Sequence, residues 1–261
     1  MKCGSSTATI EKFDCEVIDA YADAGVEAME IALPLVNYYA HDWKELKKHA
    51  DERNVEIWSI HMPFNETYNI AQFDRDNLKE IMRIDEELLK KSGEIGIKAA
   101  VIHSSFGVIP EEERERYMEM ALINLDKLTQ IAKSEGIHLA AEVLPGRALG
   151  CNSDELKYMT DQISDLKVCF DVNHLYTESH EEFVEKMGDK IVTVHISDYD
   201  FVQERHWLPG KGKNDWKKII ELLNSINYNG AFMYEVGRAG LENDFLGGIR
   251  KNYDKVMRGE I

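Results

Sequence analysis

Short apolar runs, several rich in β-branched residues, alternate with longer stretches of helical period along the whole 261-residue chain. The candidate strands are Lys2–Ser6, Val26–Ala32, Val55–His61, Ala99–His103, His138–Val143, Lys167–Asp171, Ile191–Ile196 and Gly230–Glu235. Between them, Phe13, Val17 and Tyr21 share one helical face, and Met118, Ala121, Leu122, Leu125, Leu128 and Ala132 share another. Ile219, Leu222, Leu223 and Ile226 form a third stripe, and Phe245, Ile249, Tyr253 and Val256 a fourth. Such stripes are surfaces for packing on a central sheet. Gly25 and Gly136 stand between a stripe and the next strand, where a left-handed cap is expected, and Ser153 and Asp215 read as N-caps. No linker, charge block or low-complexity tract divides the chain, so a single domain over residues 1–261 is expected. Eight βα units in about 250 residues is the rhythm of a closed (β/α)8 barrel. A doubly wound sheet would usually offer a glycine-rich first turn, and no G-x-G-x-x-G follows the first strand.

Composition narrows the function classes. With 44% hydrophobic residues, four Trp and eleven Tyr, the chain can bury a large core without disulfide or metal staples, which excludes disorder and small secreted scaffolds. The 31 Lys+Arg against 48 Asp+Glu leave a net charge of −17, which repels nucleic acid and anionic membranes. Cys3, Cys15, Cys151 and Cys169 are scattered, without a C-x-x-C pair, as suits a reducing compartment. There is no signal-like N-terminus and no run of about 20 apolar residues. A soluble, unexported, cytoplasmic protein is expected.

In such a barrel, reactive groups sit where strands end. The third run ends Trp58-Ser59-Ile60-His61, the fourth Val101-Ile102-His103 and the fifth Ala140-Ala141-Glu142. The sixth ends Cys169-Phe170-Asp171 with His174 three residues on, the seventh runs Val194-His195-Ile196-Ser197-Asp198, and the eighth ends Met233-Tyr234-Glu235. Every strand from the third to the eighth thus delivers a His, Asp or Glu to one rim. Three carboxylates need compensation there, by ion pairing or by a divalent cation. Lys and Arg are scarce at these positions, Arg147 and Arg238 lying beyond them in the loops, which favours the cation. Taken singly, a carboxylate closing a buried strand is more often a cap or an ion-pair partner. Four donors together, Glu142, Asp171, His195 and Glu235, favour one metal, and their oxygen and nitrogen atoms suit Mn²⁺, Mg²⁺, Co²⁺ or Zn²⁺. His61 and His103 read either as core histidines bonded to backbone carbonyls or as functional groups. His174 fits substrate or metal binding, while His41, His49, His138 and His180 read as surface or packing residues.

In order and placement these segments resemble the xylose-isomerase-like TIM-barrel superfamily of sugar isomerases, epimerases and endonuclease-IV-type AP endonucleases, and most of all its sugar phosphate isomerase/epimerase branch. The matching stretches are Ser59-Ile60-His61-Met62-Pro63-Phe64, Val101-Ile102-His103-Ser104, Ala141-Glu142, Phe170-Asp171-Val172-Asn173-His174, Val194-His195-Ile196-Ser197-Asp198, and Pro209-Gly210-Lys211-Gly212 before Asp215-Trp216. The resemblance implies a metal on Glu142, Asp171, His195 and Glu235, with Glu142 and Glu235 as the catalytic pair that moves a proton. It also implies substrate contacts from His174, His61, His103, Arg205 and His206, and a homodimer or homotetramer. The chain departs from the 3-epimerases after the fifth strand, where they carry a further glutamate and this sequence reads Val143-Leu144-Pro145-Gly146-Arg147-Ala148. It also carries His61, His103 and His206 where the AP endonucleases bind a trinuclear zinc cluster, and Glu204-Arg205-His206 for their Asp-Arg-His.

The expected activity is therefore metal-dependent isomerisation or epimerisation of a sugar, sugar acid or sugar phosphate, with lyase or dehydratase chemistry on the same enediolate included. The alternative is a zinc phosphoester hydrolase holding two or three Zn²⁺, with His61, His103, His174, Glu204 and His206 as the additional ligands. Loops such as Asn65–Phe73 and Asp198–Gln203 are polar or acidic, which argues against DNA as its substrate. A sugar-binding barrel without catalysis is a third reading, and the intact donor set argues against it. Phe64, Phe106 and Trp207 are candidates to stack on a sugar face, whereas Trp58 is expected to pack inside the barrel.

Overall fold

A computed structural model describes residues 1–241 and 243–261. Among them are eight strands: β1 (Lys2–Ser6), β2 (Ala28–Ile31), β3 (Glu56–His61), β4 (Ala99–Ile102), β5 (His138–Glu142), β6 (Lys167–Asp171), β7 (Ile191–Ile196) and β8 (Ala231–Tyr234). They follow one another in chain order in a closed barrel. The register runs in parallel, with Gly4 beside Ala28, Val101 beside Ala140, and His195 beside Met233. The eight helices are α1 (Cys15–Ala24), α2 (Trp43–Glu52), α3 (Arg75–Glu94), α4 (Arg114–Ser134), α5 (Ser153–Gln162), α6 (His180–Met187), α7 (Trp216–Ser225) and α8 (Phe245–Met257). The (β/α)8 expectation holds. No helix among the described residues is long and apolar enough to cross a membrane.

The chain groups into two compact units. One comprises Met1–Ser59, Asp171–Asn173 and Thr193–Ile261, the other Ile60–Phe170 and His174–Val192. In the first, α1 packs on α2 and α8. Trp58 lies against buried Ala28, Ala231 and Met233 and donates its indole N–H to Thr193 Oγ1 at 3.2 Å, the packing role its position predicted. In the second, α3 packs on α4 and α5 on α6, and Val192 lies against buried Val101, Ala140 and Cys169.

The helical stripes bury the residues their period selected, among them Val17, Tyr21, Ala121, Leu125, Leu128, Ile219, Leu223, Ile249 and Val256. Gly25 and Gly136 adopt the left-handed backbone at φ 73° and 74°. Asp215 caps α7 by accepting from Lys218 N. Ser153 does not cap α5. Asn152 does so, accepting from Glu155 N, while Ser153 is the first helical residue and gives both its N–H and its hydroxyl to Glu178.

Candidate active site

In the first unit, one imidazole stands among three carboxylates. β7 carries His195 and β6 ends on Asp171, both fully buried, while Glu235 follows β8 and is partly exposed. His195 Nδ1 lies 3.3 Å from Glu235 Oε2 and 3.8 Å from Asp171 Oδ2. The donor atoms of Asp171, His195 and Glu235 all fall within 4.8 Å of one another. The other ring nitrogen, Nε2, lies 3.1 Å from Oε2 of Glu30, a fully buried acid on β2. Both nitrogens therefore face acceptors. A neutral imidazole has one N–H, so the second contact needs another proton or a cation.

The second unit inverts that ratio. Glu142, at the end of β5, is buried among imidazoles: His61 Nε2 lies 3.1 Å and His103 Nε2 3.0 Å from its Oε2, and His174 Nδ1 lies 3.5 Å from its Oε1. The donor atoms of His61, His103 and Glu142 lie within 4.8 Å of one another. His61 Nδ1 also faces the Met62 carbonyl at 2.9 Å, so this ring too has an acceptor on each side. His174 Nδ1 meets the Val143 carbonyl at 2.9 Å. Burial holds the His103 imidazole below its ordinary pKa, with Glu142 only partly opposing it. Phe64 lies over His103 at a ring separation of 3.9 Å and beside Phe106 at 6.5 Å. Both phenyl rings stay about two-fifths exposed, leaving an apolar face open.

The loop after β5 has a fixed course. Arg114, at the start of α4, donates to both carboxylate oxygens of Glu155 and to the carbonyls of Arg147 and Ala148. Glu155 accepts from Gly150 N as well, and Ser105 Oγ accepts from Leu149 N.

In the first unit, Asp198 just past β7 holds the loop before α7 by accepting from Gly210 N, Asn214 N and the Trp216 indole. A Cβ at Gly212 would overlap Asp198 and Tyr199, which accounts for glycine there. His206 is held between the Glu235 carbonyl at 2.9 Å and Glu204 Oε1 at 2.5 Å. Burial works against its charge, but the Glu204 hydrogen bond and the Glu235 and Asp171 carboxylates outweigh that and raise its pKa to about 10.

The model of the xylose isomerase-like TIM barrel family matches residues 18–255. The chain belongs to this family. A D-psicose 3-epimerase of Enterocloster bolteae is 25% identical over 234 residues, 84% of this chain and 75% of that one. Among solved structures, D-psicose 3-epimerase with D-tagatose from Clostridium cellulolyticum H10 superposes with a TM-score of 0.82 at 18% identity, covering 99% of each chain. An IolI protein with a bound zinc atom gives 0.81 at 17% identity, over 98% of this chain and 96% of that one.

Within this xylose isomerase-like barrel, the strand ends hold the residues that the sequence singled out: Asp171, His195 and Glu235 cluster in one unit, and His61, His103, Glu142 and His174 in the other. Two of the loop residues have local partners instead. Arg205 binds Asp200 through Nε at 2.9 Å and Nη2 at 2.8 Å, and Arg147 lies 3.6 Å from Glu111 on the surface. Glu30 was missed by the sequence reading. Its signal is an acid inside the apolar run Ala28-Met29-Glu30-Ile31.

Proposed function

We propose that this protein is a divalent-metal-dependent sugar isomerase or epimerase, with Glu142, Asp171, His195 and Glu235 as the metal ligands. The observation that carries the reading is the excess of acid around His195: three carboxylates, those of Glu30, Asp171 and Glu235, face one imidazole. Oxygen and nitrogen donors of this kind fit a hard or borderline divalent cation. When bound, the cation would supply Lewis-acid polarisation of the substrate carbonyl.

The remaining steps belong to the chain. A C–H beside a carbonyl gives up its proton to one of the two glutamates, Glu142 or Glu235, and the other returns a proton to the opposite face of the planar enediolate. Return at the same carbon inverts its configuration, and return at the neighbouring carbon exchanges aldose for ketose. His61 and His103 keep the Glu142 carboxylate oriented, and His103 and His174 are the candidates to bond sugar hydroxyls. Phe64 and Phe106 present an apolar surface suited to the C–H face of a sugar. The similarity to a named D-psicose 3-epimerase supports a ketose as substrate.

Protein stripped of metal and reloaded with single cations should promote exchange of one carbon-bound proton when ketoses and sugar acids are incubated in D₂O and followed by NMR. No exchange with any cation and any sugar of the panel overturns the reading. A second reading, a zinc phosphoester hydrolase, is favoured by the His61, His103 and Glu142 donor cluster. It requires about two or three zinc ions per chain instead of one, so elemental analysis separates the two.

A further inference from the structure

We propose that Glu30 is a positioning residue that fixes the His195 imidazole with Nδ1 as its ligand atom, a role that rests on the metal reading above. Glu30 is fully buried, so it is closed to substrate. Its Oε2 accepts from the Ser59 hydroxyl at 2.8 Å and from His195 Nε2–H at 3.1 Å. Ser59 is itself fully buried, and the short hydroxyl contact holds the carboxylate in place. A buried carboxylate is costly unless it is hydrogen-bonded, and these two donors both meet its Oε2.

The consequence lies at the far side of the ring. With Nε2–H committed to Glu30, a neutral His195 has its lone pair on Nδ1, the nitrogen that faces Asp171 and Glu235. A carboxylate behind a ligating histidine fixes the tautomer and the ring plane and makes the nitrogen more basic, and its loss typically weakens metal affinity about 10–100-fold. Glu30 does this from β2, a strand that contributes nothing to the proposed ligand set.

The test measures Mn²⁺ and Zn²⁺ affinity by chelator competition in wild-type, Glu30→Gln, His195→Asn and the double variant, with thermal unfolding of the metal-free proteins alongside. Glu30→Gln should bind about 10–100-fold more weakly, and the double variant should bind no more weakly than His195→Asn alone. Equal affinity of wild-type and Glu30→Gln overturns the role of Glu30 while leaving the metal reading intact, and so does a further loss in the double variant. Wild-type protein that binds neither cation overturns both.

A second measurement needs no Glu30 variant. In Zn²⁺-loaded wild-type labelled with ¹⁵N-histidine, the His195 signals, identified by their loss in His195→Asn, should show Nε2 protonated and Nδ1 coordinated. The opposite pattern overturns the assignment.

Discussion

The two units answer the same problem, charge at the end of a buried strand, with opposite stoichiometry. In one, Glu30, Asp171 and Glu235 surround the single imidazole of His195. In the other, His61, His103 and His174 surround the single carboxylate of Glu142. The first arrangement sets three acids against one imidazole, and the second sets three imidazoles against one acid. A His or an acid closing a strand is therefore ambiguous alone, and its neighbours decide what it can do. A third case completes the contrast. Asp85 on α3 is buried with no hydrogen bond to its Oδ1 among the described residues, and burial raises its pKa to about 8. Burial alone keeps the proton on this acid.

The largest effects should come from the proton-moving pair. Glu142→Gln and Glu235→Gln should each lower turnover by about 10²–10⁴-fold while leaving the circular dichroism spectrum unchanged. Undiminished turnover in either would remove that residue from the chemistry and break the contrast on its side.

Asp85 tests the third case through stability. The folded chain holds this proton up to about pH 8, whereas the unfolded chain releases it near the ordinary carboxylate value of about 4. The stabilisation is thus fully present below about pH 4 and drains away as the pH climbs to about 8. Asp85→Asn escapes this loss, so its advantage over wild-type in urea unfolding should widen from pH 5 to pH 8, reaching on the order of 3 kcal/mol. A constant gap would mean that Asp85 is ionised in the folded state.

Adding metal should raise the unfolding free energy by about 2.7 kcal/mol at a hundredfold excess over Kd. Asp171→Asn should abolish most of that gain and His103→Asn little of it. Equal loss in both variants would erase the distinction between the acid-rich and the imidazole-rich cluster. The smallest effect should be that of Phe64→Ala, about 1 kcal/mol and seen in KM more than in kcat, as befits a surface that contacts substrate without reacting.

Much of this was legible in the residues, and the exceptions have physical causes. β6 and β7 match their apolar runs, because a strand buried on both faces reads as unbroken hydrophobicity. β2 does not: its ladder covers only Ala28–Ile31 of the run Val26–Ala32. That difference hid Glu30, which sits next to last in the true strand but in the middle of the longer run, where strand-end chemistry is not sought. Asn152 and Ser153 are adjacent residues of equal capping ability, and only the Glu178 carboxylate, brought near by the fold, decides between them. The pairing of Arg205 with Asp200 is likewise a loop contact with no hydrophobic period to announce it.

The Arg114 clasp bears on how such a barrel tolerates change at its loops. One guanidinium on a helix outside the sheet dictates the path of the segment after β5 by holding the carbonyls of Arg147 and Ala148 and, through Glu155, the amide of Gly150. The exposed side chain of Arg147 at the tip of that segment can then be exchanged without the backbone having to find a new course. This corner works as a socket, in which a different side chain can be fitted into an unchanged frame.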